Sequence, residues 1–374
     1  MKALVSSADF LASVNSVMHA VVKNQELGTT TDAMLEFDQD GIRLTGACRW
    51  VMIERKMQGQ VLEYGKVLIP TAKLKTLLSS MPDQQIEVTN VGVKFEIVVK
   101  RKKKDERYTF ITQSADAFPT DRNTFNAGFF ISGTDLKKTI QRATLACDVN
   151  STRYALGGCQ FARSGDRLRV ASYDGSQLAV QYVTIQDDLH FLDAKPVVPL
   201  ALLNVVKSLV SDDVVHVQIN PGSAVSFTWD DVRVVGHLCE GRFPAIEKVL
   251  ELTRDDALAK VDCTEMSEAL SRLSATASPE SNAIKLMFET DELSMKNPKG
   301  SVAVGQASVD CTYAGPEQSI WIAGPFLADA ISIVGATSPK DAKHASLGIM
   351  KDGCGLAVFA GGYTVTIAQI TQRD

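Results

Sequence analysis

The chain has 374 residues, 45% of them hydrophobic, 22% charged and 7% aromatic, a composition that excludes a disordered polymer or fibrous repeat and supports two or three globular cores. Thirty-nine basic against 44 acidic residues give a net charge of −5, so bulk charge neither marks nor excludes a nucleic-acid partner. Seven cysteines without a CxxC pair fit neither a disulfide framework nor a zinc site, and no run of about 18 apolar residues is present to span a membrane. Ser6, Ser7 and Asp9 interrupt any apolar core of an N-terminal signal, so the expected setting is a reducing cytoplasm.

In chain order, residues 3–5 read as a short strand that runs into a helical stripe ending near residue 14. Alternating segments 33–37 and 42–44 predict strands around the Asp40-Gly41 turn. Residues 67–78 repeat the strand-to-helix pattern with Pro70 at the junction, and strands follow at 86–88, 93–99 and 108–111. The whole order returns from residue 129 and again from residue 260. Aligning Val5, Ile131 and Val261 puts Ser6, Ser132 and Asp262 at the strand ends, with Asp9, Asp135 and Glu265 in the first helical turns. Pro199 and Pro325 likewise match Pro70. In the second copy, strands are expected at 167–170, 214–219 and 225–229, with turns at Gly165-Asp166 and Asn220-Pro221-Gly222. The reading is α+β: three tandem copies, residues 1–127, 128–258 and 259–374, each with two helices laid on antiparallel sheets.

Catalytic chemistry has nothing to stand on. His19, His190, His216, His237 and His344 are scattered, and neither HExxH nor GxSxG occurs. Ala360-Gly361-Gly362 falls between two strand patterns and reads as a hairpin turn rather than a phosphate loop. No catalytic residue, metal or cofactor is expected. The run Lys100-Arg101-Lys102-Lys103-Lys104-Asp105-Glu106-Arg107 joins two strands and reads as a solvated hairpin tip. The repeated helices carry eight basic residues, Lys23, Lys73, Lys75, Lys137, Lys138, Arg142, Lys207 and Arg272, against five acids, a local +3 that leaves −8 elsewhere. Such segregation suits contact with a phosphate backbone and equally suits ordinary solvated helix faces.

The run Ala171-Ser172-Tyr173-Asp174-Gly175-Ser176-Gln177-Leu178-Ala179-Val180 resembles the V-A-T-D-G-x-R-L-A signature of the bacterial DNA polymerase III beta subunit, or beta sliding clamp, family. Arg153-Tyr154-Ala155-Leu156-Gly157-Gly158 resembles its R-Y-x-L-N-G, and Glu240-Gly241-Arg242-Phe243-Pro244 followed by Val249-Leu250 its D-G-R-F-P-D-Y…V-L. Ala117-Phe118-Pro119 and Asp310-Cys311-Thr312-Tyr313-Ala314-Gly315 match weaker landmarks, so the resemblance runs through the whole chain in order.

The resemblance implies the DNA clamp fold and a head-to-tail homodimer closing a pseudo-sixfold ring around double-stranded DNA. It implies a noncatalytic processivity factor that tethers the DNA polymerase III catalytic subunit, the clamp loader, other polymerases and repair proteins through short linear motifs. The groove for those motifs would use Arg153, Leu156, Tyr173, Gly175, Leu178, Pro244, Lys248, Val249, Thr366 and Ala368. Lys23, Lys73, Lys137, Lys138, Arg142, Tyr154, Lys207 and Arg272 would face DNA, and Lys73, Leu77, Tyr108, Phe110 and Ala277 would lie at the dimer interface. Departures from the pattern are Tyr173 for Thr, Gln177 for Arg, Ala47-Cys48-Arg49 for an acidic T-D-L, a polar C-terminal end in place of M-P-M-R-L, and a small residue at Ala277. The altered C-terminal wall motivates the alternative of a divergent paralogue serving repair or a specialised polymerase.

Overall fold

The computed structural model describes residues 1–21, 32–120, 123–253, 257–277, 282–298, 303–339 and 343–370. It begins with β1 (Lys2–Ser6), α1 (Ser7–Val17), β2 (Ala33–Asp38), β3 (Gly41–Ala47), β4 (Val51–Met57), β5 (Gly59–Glu63), β6 (Gly65–Ile69), α2 (Thr71–Ser79), β7 (Gln85–Val91), β8 (Lys94–Val99) and β9 (Glu106–Ile111). The same order recurs without a counterpart of β5: β10 (Gly128–Ser132), α3 (Gly133–Ala143), β11 (Gly158–Ser164), β12 (Arg167–Tyr173), β13 (Gln177–Thr184), β14 (Val197–Pro199), α4 (Leu200–Leu209), β15 (Val214–Asn220), β16 (Ala224–Trp229) and β17 (Val232–His237). A short α5 (Glu247–Glu251), which no sequence pattern announces, precedes the third copy. That copy comprises β18 (Ala259–Asp262), α6 (Cys263–Ser274), β19 (Ala283–Phe288), β20 (Glu292–Lys296), β21 (Gln306–Thr312), β22 (Gln318–Ala323), α7 (Gly324–Thr337), β23 (His344–Ile349), β24 (Gly355–Ala360) and β25 (Tyr363–Ala368).

Local chemistry sets the helix starts. Ser6 Oγ accepts from the backbone N–H groups of Ala8 and Asp9 at 3.2 and 3.3 Å, and Asp262 Oδ1 does the same for Thr264 and Glu265 at 2.7 and 3.1 Å. Each satisfies donors that the helix cannot, so Ser6 and Asp262, two of the three aligned polar residues at the strand ends, act as N-caps. The Glu265 N–H in particular holds the Asp262 carboxyl below its ordinary range. The helices then bury one stripe. In α6 it is Met266, Ala269, Leu270 and Leu273, and in α7 Leu327, Ala330, Ile331 and Val334, spaced at the helical period. α1 runs past the stripe expected to end near residue 14 and gives way at Met18–Ala20 to a 3₁₀ turn, and Lys23 lies outside the described residues.

Two compact units are present, one of residues 1–133 with 202–238 and the other of residues 134–201 with 239–374. The first holds a five-stranded sheet, β5-β1-β7-β8-β9, and an eight-stranded one, β10-β15-β16-β17-β4-β3-β2-β6. The second holds a 12-stranded sheet, β14-β11-β12-β13-β25-β24-β23-β18-β21-β20-β19-β22. These units cut the chain differently from the sequence repeat because backbone pairing crosses the repeat boundaries. β17 pairs with β4 from Val232↔Arg55 to Gly236↔Val51, and β13 with β25 from Gln177↔Ile367 to Gln181↔Tyr363.

Candidate functional site

The residues of the proposed groove converge on the β12-β13-β25 part of the second unit. Register places Tyr173 opposite Leu178 and Leu178 opposite Thr366, so the three side chains form one cross-strand row. The turn between β12 and β13 is held by Asp174, whose Oδ1 accepts from the backbone of Ser176 and Gln177, each at 2.7 Å, while Gly175 takes φ +100°. Only glycine adopts that conformation without strain. The Tyr173 hydroxyl donates back to the Gly175 carbonyl at 3.2 Å, so its ring lies along the turn.

Beneath this row Leu178, Ala155, Phe243 and Ile246 form a buried apolar cluster, with Tyr173 and Val249 packed on it half-buried. Leu178 is fully covered and Leu156 nearly so, Pro244 is half-buried, and Arg153, Gly175, Lys248 and Ala368 are exposed. Thr366 is buried, so the last strand offers a methyl and a hydroxyl where a long apolar side chain would fill more space. The site is therefore an apolar floor rimmed by Arg153 and Lys248.

Sequence reasoning missed what fixes α5, which carries Lys248 and Val249. Arg169, inward on β12, donates from Nη2 to Glu247 Oε1 at 3.2 Å and to Gln160 Oε1 at 3.2 Å, and Lys195 Nζ reaches the same Glu247 oxygen at 3.0 Å. Burial opposes ionisation of Glu247, but its backbone hydrogen bond and these two cations prevail and hold its pKa at about 2. The one available signal was a charged residue between the apolar Leu168 and Val170 in a buried strand.

Arg142 corrects an expectation. It was assigned to a DNA-facing surface, yet it is 1% exposed. Its guanidinium donates to Thr337 Oγ1 at 2.7 Å, to Gln181 Oε1 at 3.1 Å and to the Ala360 carbonyl at 3.0 Å, and stacks 5.2 Å from the Tyr363 ring centroid. The helical period puts residue 142 one turn past Lys138 and on the side that meets α7 and the β24-β25 turn, where a cation is held by neutral acceptors. Burial lowers its pKa from the ordinary arginine value.

The other cations remain accessible. Lys73 is exposed on α2, while Lys137 and Lys138 on α3 and Lys207 on α4 are half-buried. Burial, then the Arg142 charge, lowers the Lys138 pKa. Arg272 is exposed and pairs with Glu268 at 3.3 Å, one turn earlier on α6, and Tyr154 is 74% exposed. Among the interface candidates, Tyr108 and Phe110 lie on β9, which among the described residues pairs only with β8, while Leu77 on α2 and Ala277 just past α6 are half-buried.

Comparison with known proteins gives concordant matches. Models described as DNA polymerase III beta subunit match this chain over residues 1–122 for the N-terminal domain and 131–245 for the central domain. The beta sliding clamp of Pseudomonas putida is 25% identical over 332 residues, 87% of this chain and 88% of its own. That of Streptomyces coelicolor is 22% identical over 306 residues, 80% of each chain. The solved DNA polymerase III subunit beta of Pseudomonas aeruginosa superposes with TM-score 0.87 at 20% identity, and that of Streptococcus pyogenes with 0.87 at 16%, each covering both chains fully.

Two outcomes are expected. Arg142→Ala orphans buried acceptors and should cost about 3 kcal/mol of stability, whereas Lys137→Ala should change it by less than about 0.5 kcal/mol; chemical denaturation reads both, and equal effects would contradict the buried role. Because Glu247 titrates lower when folded, its pairs stabilise at pH above the ordinary 4.5 and are lost as pH falls toward 2. Melting temperature followed across that window should fall less steeply for Glu247→Gln than for the parent.

Proposed function

The chain belongs to the DNA polymerase III beta subunit family of sliding clamps, noncatalytic processivity factors of DNA replication, and from that premise we propose that two copies close head to tail around duplex DNA. The ring tethers the replicative polymerase and other replication and repair proteins, whose short linear motifs dock on the β12-β13-β25 site.

One observation carries this reading: the chain uses one kind of strand junction twice and leaves its third instance open. At both internal junctions the last of three consecutive strands in one repeat, β4 or β13, pairs antiparallel with the final strand of the following repeat, β17 or β25. The counterparts still available are β21 of the third repeat and β9 of the first. Among the described residues β9 pairs only with β8, and β21 bonds β18 only through Cys311 and Thr312, leaving Gln306 to Asp310 without a described strand partner on that side. Open edges template pairing with another chain. If a second copy supplies each missing partner, two equivalent junctions close a ring of six repeats.

Backbone geometry fits such pairing. The bonds Cys311 N–H to the Asp291 carbonyl at 3.1 Å and Asn297 N–H to the Gly305 carbonyl at 3.0 Å turn the odd-numbered residues of β21 toward β20. Alternation then aims the amides of Gln306, Ser308 and Asp310 outward. On β9, Thr112 N–H bonds the Val93 carbonyl at 2.9 Å, so Arg107, Thr109 and Ile111 face out. Charge is complementary as well. The exposed Lys102-Lys103-Lys104 tip adjoins β9, and Asp291, Glu292 and Asp310 surround β21, where after burial they push the Cys311 thiol up.

A second reading, a clamp serving repair or a specialised polymerase, is favoured by Tyr173 in the turn and by the small side chains of Thr366 and Ala368 in the last strand's wall. It alters the groove's occupant and leaves the ring intact. Binding of replicative-polymerase tail peptides at micromolar concentration would retire it.

Retention on DNA tests the ring. The protein, loaded on closed-circular duplex, should be retained and should leave when the circle is cut. Ser308→Pro removes an outward amide without breaking a β20 bond and should weaken dimerisation about tenfold or more in sedimentation. Lys137→Glu with Lys138→Glu should preserve the dimer but shorten retention. Equal retention on linear and circular DNA would overturn topological tethering.

A further inference from the structure

We propose that Cys147 and Cys159 form a reversible disulfide whose closure resets the wall of the groove that carries Arg153 and Leu156. Their Sγ atoms lie 3.7 Å apart in the second unit, and Cys159 donates its thiol proton to the Ala143 carbonyl at 3.4 Å. A disulfide needs about 2.05 Å between the sulfurs, so closure brings the two Sγ atoms, at the exit of α3 and the start of β11, about 1.7 Å closer and removes the donor to Ala143.

The segment between the two cysteines is itself clamped. Asp148 N–H bonds the Leu156 carbonyl at 2.8 Å, and Leu156 N–H bonds the Arg153 carbonyl at 2.9 Å. Closure at its base therefore reaches Arg153 and Leu156 through a short hydrogen-bonded loop rather than a slack one. A third thiol flanks the pair: Cys239 packs half-buried on the groove's apolar cluster, two residues before Gly241. Its pKa is pushed up to about 11, by burial and then by Cys147.

The two sulfurs are unequal. Cys159 is wholly buried and Cys147 half-buried, which makes Cys147 the entry thiol for a low-molecular-weight disulfide, RSSR. Its thiolate attacks one RSSR sulfur, breaking the S–S bond and releasing RS⁻. Cys159 then gives up its proton to solvent and attacks Cys147 Sγ, expelling the second RS⁻. In sum, two protein thiols are oxidised to one disulfide and RSSR is reduced to two RSH. Burial, reinforced by the Cys147 hydrogen bond, raises the Cys159 pKa well above that of a free thiol, so the second step is the slow one and accelerates with pH. Such a bond in a reducing compartment is transient, as a sensor requires.

The consequence for partners rests on the groove reading above, and the test keeps the two apart. Intact protein is incubated with glutathione disulfide, alkylated, digested without reduction and mapped by mass spectrometry, with hydrogen exchange followed over residues 148–158. The expected result is a peptide crosslinked between Cys147 and Cys159, absent in Cys147→Ser and retained in Cys239→Ala, with exchange over 148–158 altered severalfold. Cys354, which is exposed, serves as the marker of a competent oxidant. Complete glutathione capture of Cys354 with Cys159 still free would overturn the proposal. So would a mapped disulfide that leaves exchange over 148–158 unchanged. A motif peptide that fails to bind either redox form counts against the groove reading alone, because crosslink and exchange are read without it.

Discussion

Backbone amides at a strand edge must be paired or solvated, and the organisation of this chain follows from how its repeats meet that demand. A repeat ending in an open strand exposes a row of donors and acceptors that water satisfies but that another strand satisfies with added side-chain burial. Joining β4 to β17 and β13 to β25 removes four such edges within the chain. It also explains why compactness does not follow the sequence repeat. The middle copy lends β10, β15, β16 and β17 to the eight-stranded sheet and β11 to β14 to the 12-stranded one.

The β13-β25 junction and the candidate groove are one construction. Pairing across the junction places Thr366 beside Leu178, and the turn that ends β12 places Tyr173 in the same row. The wall supplied by the last strand is thus set by register, and a slip of one residue would exchange Thr366 for a neighbour on the opposite face. On the other side, Arg169 and Lys195 converge on Glu247 and fix α5 over the floor. An ion cluster linking a strand to a five-residue helix does what helix propensity cannot do at that length.

The helix-and-strand order was legible because period and punctuation agree. Ser6 and Asp262 sit at strand ends where their side chains cap helices, and Asp40-Gly41 and Asp174-Gly175 supply the turn conformations that hairpins require. The candidate site was legible through its turn and loop motifs, whose residues the structure brings together on β12, β13 and β25. What escaped was long-range. Nothing in residues 133–143 alone distinguishes Lys138, which keeps solvent contact, from Arg142, whose partners Gln181, Thr337 and Ala360 lie 39 to 218 residues away. α5 escaped because Arg169 and Lys195, not its own sequence, hold it. The proximity of Cys147 and Cys159 depends on α3 and β11 meeting, which their spacing does not reveal.

The correction at Arg142 sharpens the proposed contact with DNA. Of the two arginines on the repeated helices, Arg142 is buried and Arg272 is paired with Glu268. Lys73 and Lys75 are exposed and Lys137, Lys138 and Lys207 half-buried, with the Asp135 charge acting on Lys138. On these helices most of the cations with solvent access are therefore lysines. A guanidinium grips phosphate through a fixed fork, whereas an ammonium is a hydrated point charge on a flexible stem that holds phosphate without fixing its orientation. A ring that must stay on duplex yet move along it gains from the second kind of contact, because passing from one phosphate to the next breaks no bidentate geometry. In the proposed ring, burying Arg142 and leaving lysines at the helix surfaces would make retention a matter of charge and topology, with little friction from directed hydrogen bonds.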